Sequence, residues 1–370
     1  MKIGIVKEIK NNENRVALPP AGVYELIQAG HEVYVEKDAG KGSSITNDAY
    51  QAVGATIVTE PKDVWASDLI LKVKEPVESE YKYFREGMIL FTYLHLAANK
   101  PVAKALMAGK VTAIAYEGVR LDDGSLPLLA PMSEIAGRMA VQIGAQFLEG
   151  LSGGKGILLA GVPGVRKGNV VIIGGGVAGT NAAQIAVGFG ANVTILDVSM
   201  TRLKELDMQF DGKVQTLLSN AFNIAEQVKN ADLVIGAVLL PGRKAPTLVT
   251  REMVRQMEDK SVIIDIAIDQ GGIFETASKA TTHDEPTYIE EGVIHYAVAN
   301  MPGAVAQTGS YALSNRTLEF IKYLASTPIE KAIKNNAALA RGVNTYRGCL
   351  VESGIAADLD LPVTELATLL

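Results

Sequence analysis

Hydrophobic and polar positions alternate in a repeated order along this chain. A short apolar, β-branched run is followed by a longer stretch with apolar residues at helical spacing, and then by another run. In the N-terminal part, Lys2–Val6, Glu32–Glu36, Thr56–Val58, Leu69–Val73, Met88–Thr92 and Val111–Tyr116 predict strands. Pro19–Ala29, Thr46–Val53, Tyr81–Arg85 and Lys100–Ala108 predict helices between them. Such alternation predicts an α/β domain with a largely parallel sheet.

Leu121–Pro131 is a turn-rich connector, and Met132–Leu151 predicts a long helix with Ser133 as its N-cap. A glycine-rich stretch, Gly153–Gly168, leads into a second series of strands: Val170–Ile173, Asn192–Leu196, Lys213–Leu218, Ala231–Leu239, Ser261–Ile266 and Val293–Ala299. Six strands with intervening helices make a two-half dinucleotide fold. Ala304–Ala325 predicts a helix that returns to the first domain, and Pro328–Leu370, read as helical or irregular, closes it. The expected class is α/β, with two doubly wound parallel-sheet domains linked by long helices. Residues 1–130 plus 305–370 form the substrate domain, and residues 131–304 a Rossmann domain.

The second series carries a fingerprint. Gly174, Gly176 and Gly179 give G-x-G-x-x-G after a strand and at the opening of an Ala-rich helical stretch. The next strand ends in Asp197. That context, rather than the glycines alone, gives the motif its force. Gly174 permits the tight turn, Gly176 lets a pyrophosphate approach the backbone, and Gly179 allows close helix packing. The helix N-terminus offers N–H groups to phosphate. Asp197 suits ribose hydroxyls and repels a 2′-phosphate, so NAD is favoured over NADP; Arg202 lies nearby and could blunt that preference.

Composition narrows the class. The chain has 370 residues, enough for two domains, and 48% are hydrophobic. Charged residues make up 21%, slightly low, as expected where much surface is buried, and a formal net charge of -6 argues against nucleic acid as a partner. One cysteine, Cys349, excludes an internal disulfide framework and fits a reducing cytoplasm. Met1 leads straight into a strand, so no signal peptide is expected, and apolar runs are interrupted too often for a membrane span. No His, Cys and Asp cluster has metal-ligand spacing.

Ligands of open parallel sheets bind beyond the carboxyl ends of the strands. In the first domain Lys7, Glu8 and Arg15 follow the first strand, Lys74 follows Leu69–Val73, His95 follows Met88–Thr92, and Glu117 follows Val111–Tyr116. Arg15 and Lys74 suit a carboxylate. His95 can trade a proton near neutral pH. In the second domain Asp265 and Asp269 follow the fifth strand and Asn300 the sixth. Plainer readings stand beside these. His95 could be a core histidine, Arg15 a solvated loop charge, and Lys74 with Glu75 a surface pair.

The residues at Lys7–Leu18 (KEIKNNENRVAL), Leu71–Pro76, Tyr93–Ala98, Pro131–Ala140, Gly174–Ala183, Asp265–Gly272, Thr282–Tyr288 and Val298–Val305 resemble the alanine dehydrogenase family along essentially the whole chain. The resemblance implies reversible NAD-dependent oxidative deamination of L-alanine to pyruvate and ammonium. It implies that Arg15 and Lys74 bind the substrate carboxylate, that His95 is the acid/base and that Asp269 is the second catalytic residue. By the same resemblance, Ser133, Val177, Ala178, Asp197, Arg202, Ser219, Val238, Leu239, Ile266, Ala267, Ile268, Asp269, Val298, Ala299, Asn300 and Met301 line the NAD site. Lys279 sits where the family commonly has a basic residue near the cofactor. A homohexamer is implied as well. Two other readings remain: the soluble NAD-binding component of a nicotinamide nucleotide transhydrogenase, and a non-catalytic NAD-binding protein.

Overall fold

The computed structural model describes residues 1–238, 245–277 and 279–370. By its internal contacts the chain divides into two units, Met1–Met132 with Gly303–Leu370, and Ser133–Pro302. In chain order the strands are β1 (Lys2–Ile5), β2 (Glu32–Glu36), β3 (Thr56–Val58), β4 (Leu69–Leu71), β5 (Ile89–Thr92), β6 (Thr112–Ala115), β7 (Asn169–Ile173), β8 (Asn192–Asp197), β9 (Gln215–Leu218), β10 (Leu233–Gly236), β11 (Val262–Asp265), β12 (Thr287–Glu290), β13 (Val293–Tyr296), β14 (Val343–Tyr346) and β15 (Cys349–Leu350).

The first unit holds a sheet of order β15-β14-β6-β5-β4-β1-β2-β3. Its strands β1 to β6 pair in parallel. Strands β4, β5 and β6 are buried at every position, which is why they read as continuous apolar runs rather than alternating ones. The second unit holds a sheet of order β12-β13-β11-β10-β7-β8-β9. Read from β9, its parallel strands follow the doubly wound dinucleotide-binding order, and the reversal falls between β7 and β10. Both sheets are parallel-dominated with antiparallel edges.

Those edges depart from the sequence expectation. The stretch Pro328–Leu370 is not only helical or irregular. Strand β14 pairs antiparallel with β6, and β15 pairs antiparallel with β14. Strand β14 was hard to recognise because its polar residues are buried: Asn344 and Thr345 are 3% and 0% exposed, and the Thr345 hydroxyl donates to the Val111 carbonyl at 2.9 Å. In the second unit β12 adds an antiparallel edge beside β13. The long helix runs Ala130–Leu148, so Ser133 lies inside its first turn rather than capping it. Pro131 explains the earlier start, since proline's fixed φ and missing N–H cost nothing in a first turn. Tyr81–Arg85 forms no α-helix; a 3-10 segment, Glu78–Tyr83, stands there. Short helix Pro61–Trp65 was not expected.

Candidate functional site

In the first unit the strand order reverses between β1 and β4, and the crevice of such a sheet lies at the carboxyl ends of those two strands. Acidic side chains fix the segments that leave them. Glu8, just past β1, accepts from the backbone N–H of Val73 at 2.6 Å and of Lys74 at 3.3 Å. Its second oxygen lies 3.2 Å from Lys72 Nζ, and Lys72 also donates to Glu80 at 2.9 Å. All three are buried, so each charge depends on the others for its partners. The Thr92 hydroxyl donates to the Lys74 carbonyl at 3.0 Å, tying the end of β5 to the same segment.

Arg15 is only 2% exposed, which rules out a solvated loop charge. Its Nε and Nη2 donate to Glu13 at 2.7 and 2.5 Å, and its Nη1 lies 2.9 Å from Met132 Sδ. Lys74 is half-buried and close enough to Arg15 to feel its charge: burial, and then that guanidinium, push the ammonium's pKa down. Neighbouring Glu75 is buried, so Lys74 and Glu75 are not a surface pair. The His95 side chain is 38% exposed, which excludes the core-histidine reading. It stands at φ 47°, ψ 39°, in the left-handed region. Glu117 accepts from its N–H at 2.7 Å and from that of Leu94 at 3.0 Å. One end of the first unit thus carries two cations suited to a carboxylate and an accessible imidazole.

The second unit builds a dinucleotide cradle from β7, the glycine turn and helix Val177–Gly188. Gly174 has φ +105°, and a Cβ there would meet the Ala237 carbonyl oxygen at 2.6 Å and Val238 Cγ2 at 3.1 Å. A Cβ on Gly179 would lie 1.8 Å from the Gly174 oxygen. Gly176, by contrast, has nothing within 4 Å of that position, which leaves room for a ligand against the backbone. The first-turn N–H groups of the helix have no intrahelical acceptor and present positive charge there. Asp197, the last residue of β8, accepts from Gly175 N at 2.8 Å and from Ser199 N at 2.8 Å. Ser219 N donates to the Asp197 carbonyl at 2.9 Å, placing Ser219 beside it. Arg202 donates from Nε to the Gly175 carbonyl and from Nη2 to Thr180 Oγ1, each at 2.8 Å, and from Nη1 to Glu205 at 2.7 Å. The residues present fit a dinucleotide with an unphosphorylated ribose.

Asp265 closes β11 and is 1% exposed. Its two oxygens accept from Ala267 N and Ile273 N, each at 3.0 Å. It therefore staples the ends of the loop that carries Ile266, Ala267, Ile268 and Asp269; Asp269 itself is exposed, in the 3-10 turn Ile268–Gln270. Burial pushes the Asp265 carboxyl up to about 6, against the pull of those backbone bonds. Val298 bridges to Thr281, the Asn300 carbonyl lies 2.8 Å from His283 Nε2, Ala299 is exposed and Met301 is buried. Val177 is exposed, Ala178 half-buried, and Ser133 half-buried in the long helix. Lys279 stands 5.6 Å over the Tyr288 ring. Leu239 lies outside the described residues. Among the described residues no group of three or more acidic, His or Cys side chains could hold a metal, and no helix is long and apolar enough to cross a membrane.

The sequence names Asp265 and Glu75 without their partners and does not single out Glu13: Glu13 holds Arg15, Glu75 lies 3.4 Å from His95 Nδ1, and Asp265 holds the N–H groups of Ala267 and Ile273. The one signal for them was an acidic residue beside each cation or turn, which a linear pattern cannot separate from a surface pair.

A doubly wound fold with a glycine cradle and a separate basic, imidazole-bearing sheet edge defines a dinucleotide-dependent enzyme class. Two family descriptions match: Alanine dehydrogenase/PNT, N-terminal domain over residues 4–136 and C-terminal domain over residues 140–353. The chain belongs to the alanine dehydrogenase/PNT family. It is 61% identical to an alanine dehydrogenase of Staphylococcus haemolyticus over 366 residues, covering 99% of this chain and 98% of that one. It is 60% identical to alanine dehydrogenase 2 of Staphylococcus aureus over 356 residues, covering 96% of each. A solved L-alanine dehydrogenase superposes with TM-score 0.94 at 49% identity, covering 97% of this chain and 99% of that one. A solved transhydrogenase from Sinorhizobium meliloti superposes with TM-score 0.82 at 28% identity, covering 95% and 99%.

Proposed function

We propose that this chain catalyses the reversible, NAD-dependent oxidative deamination of L-alanine. In balance, alanine, NAD⁺ and water give pyruvate, ammonium, NADH and a proton. The observation that carries the reading is that Arg15, Lys74 and His95 follow β1, β4 and β5, of which β1 and β4 flank the switch point of the first sheet and β5 pairs with β4. The first unit, in the notional span 1–130 plus 305–370, takes the amino acid; the second, 131–304, takes the cofactor.

Bound NAD supplies the hydride acceptor. The chain's residues do the rest. Arg15 and Lys74 hold the carboxylate, the first as a guanidinium that Glu13 fixes along its Nε–Nη2 side and the second as a point charge. The substrate reacts as its free amine, its ammonium proton passing to solvent; as hydride leaves the α-carbon, positive charge grows on the nitrogen, and Asp269 stabilises it. His95 takes a proton from the water that adds to the imine carbon, returns it to the departing amine, and takes the hydroxyl proton as the C–N bond breaks and the carbonyl forms. Asp197 favours a free ribose 2′-hydroxyl. The remaining named residues of the second unit, from Ser133 to Met301, line the cofactor, with Lys279 at its margin.

The test is NAD reduction by purified protein with L-alanine, beside glycine, L-serine and D-alanine, and the reverse reaction with pyruvate and ammonium. Rapid turnover selective for L-alanine is expected. A methyl group is worth only about 1–3 kcal/mol of discrimination, so slow turnover of other small amino acids is compatible. Full turnover by His95→Gln in both directions would remove the acid/base role. A homohexamer in the cytoplasm is part of the reading; the single cysteine and the low charged fraction of 21% support it, and light scattering tests the assembly.

A second reading has one observation behind it, the likeness to a transhydrogenase at 28% identity. The dehydrogenases quoted above are nearer, at 49–61%. NAD binding without alanine turnover would favour it.

A further inference from the structure

Lys74 and Glu75 leave β4 side by side, yet Glu75 serves a different partner. Its side chain is 11% exposed; Oε1 pairs with Lys10 Nζ, and Oε2 lies 3.4 Å from His95 Nδ1. Burial alone would raise the carboxyl's pKa, but the interactions with His95 and Lys10 outweigh it and hold Glu75 at about 2. The imidazole thus faces an ionised carboxylate. His95 is restrained elsewhere too. Its backbone N–H is held by Glu117, and its ring lies 6.0 Å from that of Tyr93, tilted by 31°.

We propose that Glu75 is the positioning residue of His95: its carboxylate engages Nδ1–H and leaves Nε2 as the nitrogen that exchanges protons with the substrate. The proposal rests on His95 as the acid/base of the reaction above. A neutral imidazole carries one N–H, and the acceptor beside one nitrogen decides which nitrogen holds it. An anionic acceptor at Nδ1 selects the Nδ1–H tautomer and fixes the ring's rotation. The Nε2 lone pair then takes the proton of the attacking water. The imidazolium so formed keeps its Nδ1–H toward Glu75, and the Nε2 proton passes to the departing amine. Glu75 stays ionised throughout. Lys10, on the opposite oxygen, keeps Glu75 charged and aimed.

Two independent readouts test this on the full-length protein. The chain has four histidines, so histidine-selective 15N labelling with long-range 1H–15N spectra resolves them, and His95→Gln identifies the signal of interest. At alkaline pH, with imidazoles neutral, wild-type His95 is expected as the Nδ1–H tautomer. In Glu75→Leu the Nε2–H form should take over. In steady-state assays, Glu75→Gln should lower kcat for alanine oxidation by about tenfold or more while the KM for NAD stays within about twofold. A purely structural role would instead lower the melting temperature and leave kcat per folded molecule unchanged. Wild-type His95 in the Nε2–H form, or a Glu75→Gln kcat within about twofold of wild type, overturns the proposal. The wild-type spectrum needs no turnover. Failure of the dehydrogenase reading is therefore distinguishable from failure of the Glu75–His95 pairing.

Discussion

Glu117 accepts a hydrogen bond from the backbone N–H of His95 at 2.7 Å and holds that residue at φ 47°. The left-handed conformation costs a non-glycine residue on the order of 1–2 kcal/mol. The carboxylate offsets this by binding two consecutive N–H groups, those of Leu94 and His95.

Removing that clamp should cost both stability and rate. Glu117→Ala is expected to lower stability by roughly 2–3 kcal/mol, the worth of hydrogen bonds to a charged acceptor. As the His95 backbone relaxes, kcat should fall by about a hundredfold, the scale of a misplacement near 1 Å. Thermal unfolding and steady-state kinetics read the two effects. An unchanged kcat in a destabilised variant would mean that Glu117 supports the fold alone.

The glycine cradle has an internal control. Gly179→Ala would set a methyl 1.8 Å from the Gly174 carbonyl oxygen, backbone against backbone. A loss of about 1–3 kcal/mol in stability and at least tenfold in NAD affinity is expected. Gly188, at the far end of the same helix, is exposed and has nothing within 4 Å of a Cβ position. Gly188→Ala should raise stability by about 0.5–1 kcal/mol through helix propensity alone. Calorimetry and nucleotide titration of both variants check the pair.

The Arg202 guanidinium is engaged within the protein. Its Nε, Nη1 and Nη2 are bonded to Gly175, Glu205 and Thr180. Arg202→Ala should therefore weaken NAD and NADP alike, by roughly 1–2 kcal/mol, through a looser loop. Asp197→Ala should shift the kcat/KM ratio toward NADP. If Arg202→Ala abolished NADP use and spared NAD, the arginine would be reading the 2′-phosphate directly.

Asp265 sets a pH dependence opposite to that of an ion-paired carboxylate. Burial raises its folded pKa to about 6, above the ordinary value of 3.8. Between those values the folded state binds more protons than the unfolded one, so stability falls as pH rises from about 4 to about 6. The full effect of such a shift is roughly 3 kcal/mol. Glu75, held at about 2, works the other way: its contribution is present above pH 4.5 and lost as pH falls toward 2. Asp265→Asn should flatten the melting temperature between pH 4 and 6. It should also destabilise at every pH, because an amide N–H₂ would face the N–H of Ala267 or Ile273.

The alternation of apolar runs with helical stretches determined two doubly wound domains, because parallel strands are buried on both faces and betray themselves as apolar segments. The glycine spacing ahead of Asp197 determined the cradle, since each glycine meets a local steric demand visible in its own turn. Tertiary structure alone decided the antiparallel edges and the partners of the reactive groups. Strand β14 hides because its polar residues are buried and one of them, Thr345, is satisfied more than two hundred positions away, by the carbonyl of Val111 just before β6. Helix capping at Ser133 failed because Pro131 let the helix begin earlier. Most of all, nothing in the order Lys74-Glu75 says which side chain turns toward His95. That choice is made by the fold of the segment after β4, pinned by Glu8 and Thr92, which leaves Lys74 within range of the Arg15 charge and sets the Glu75 carboxylate 3.4 Å from the imidazole.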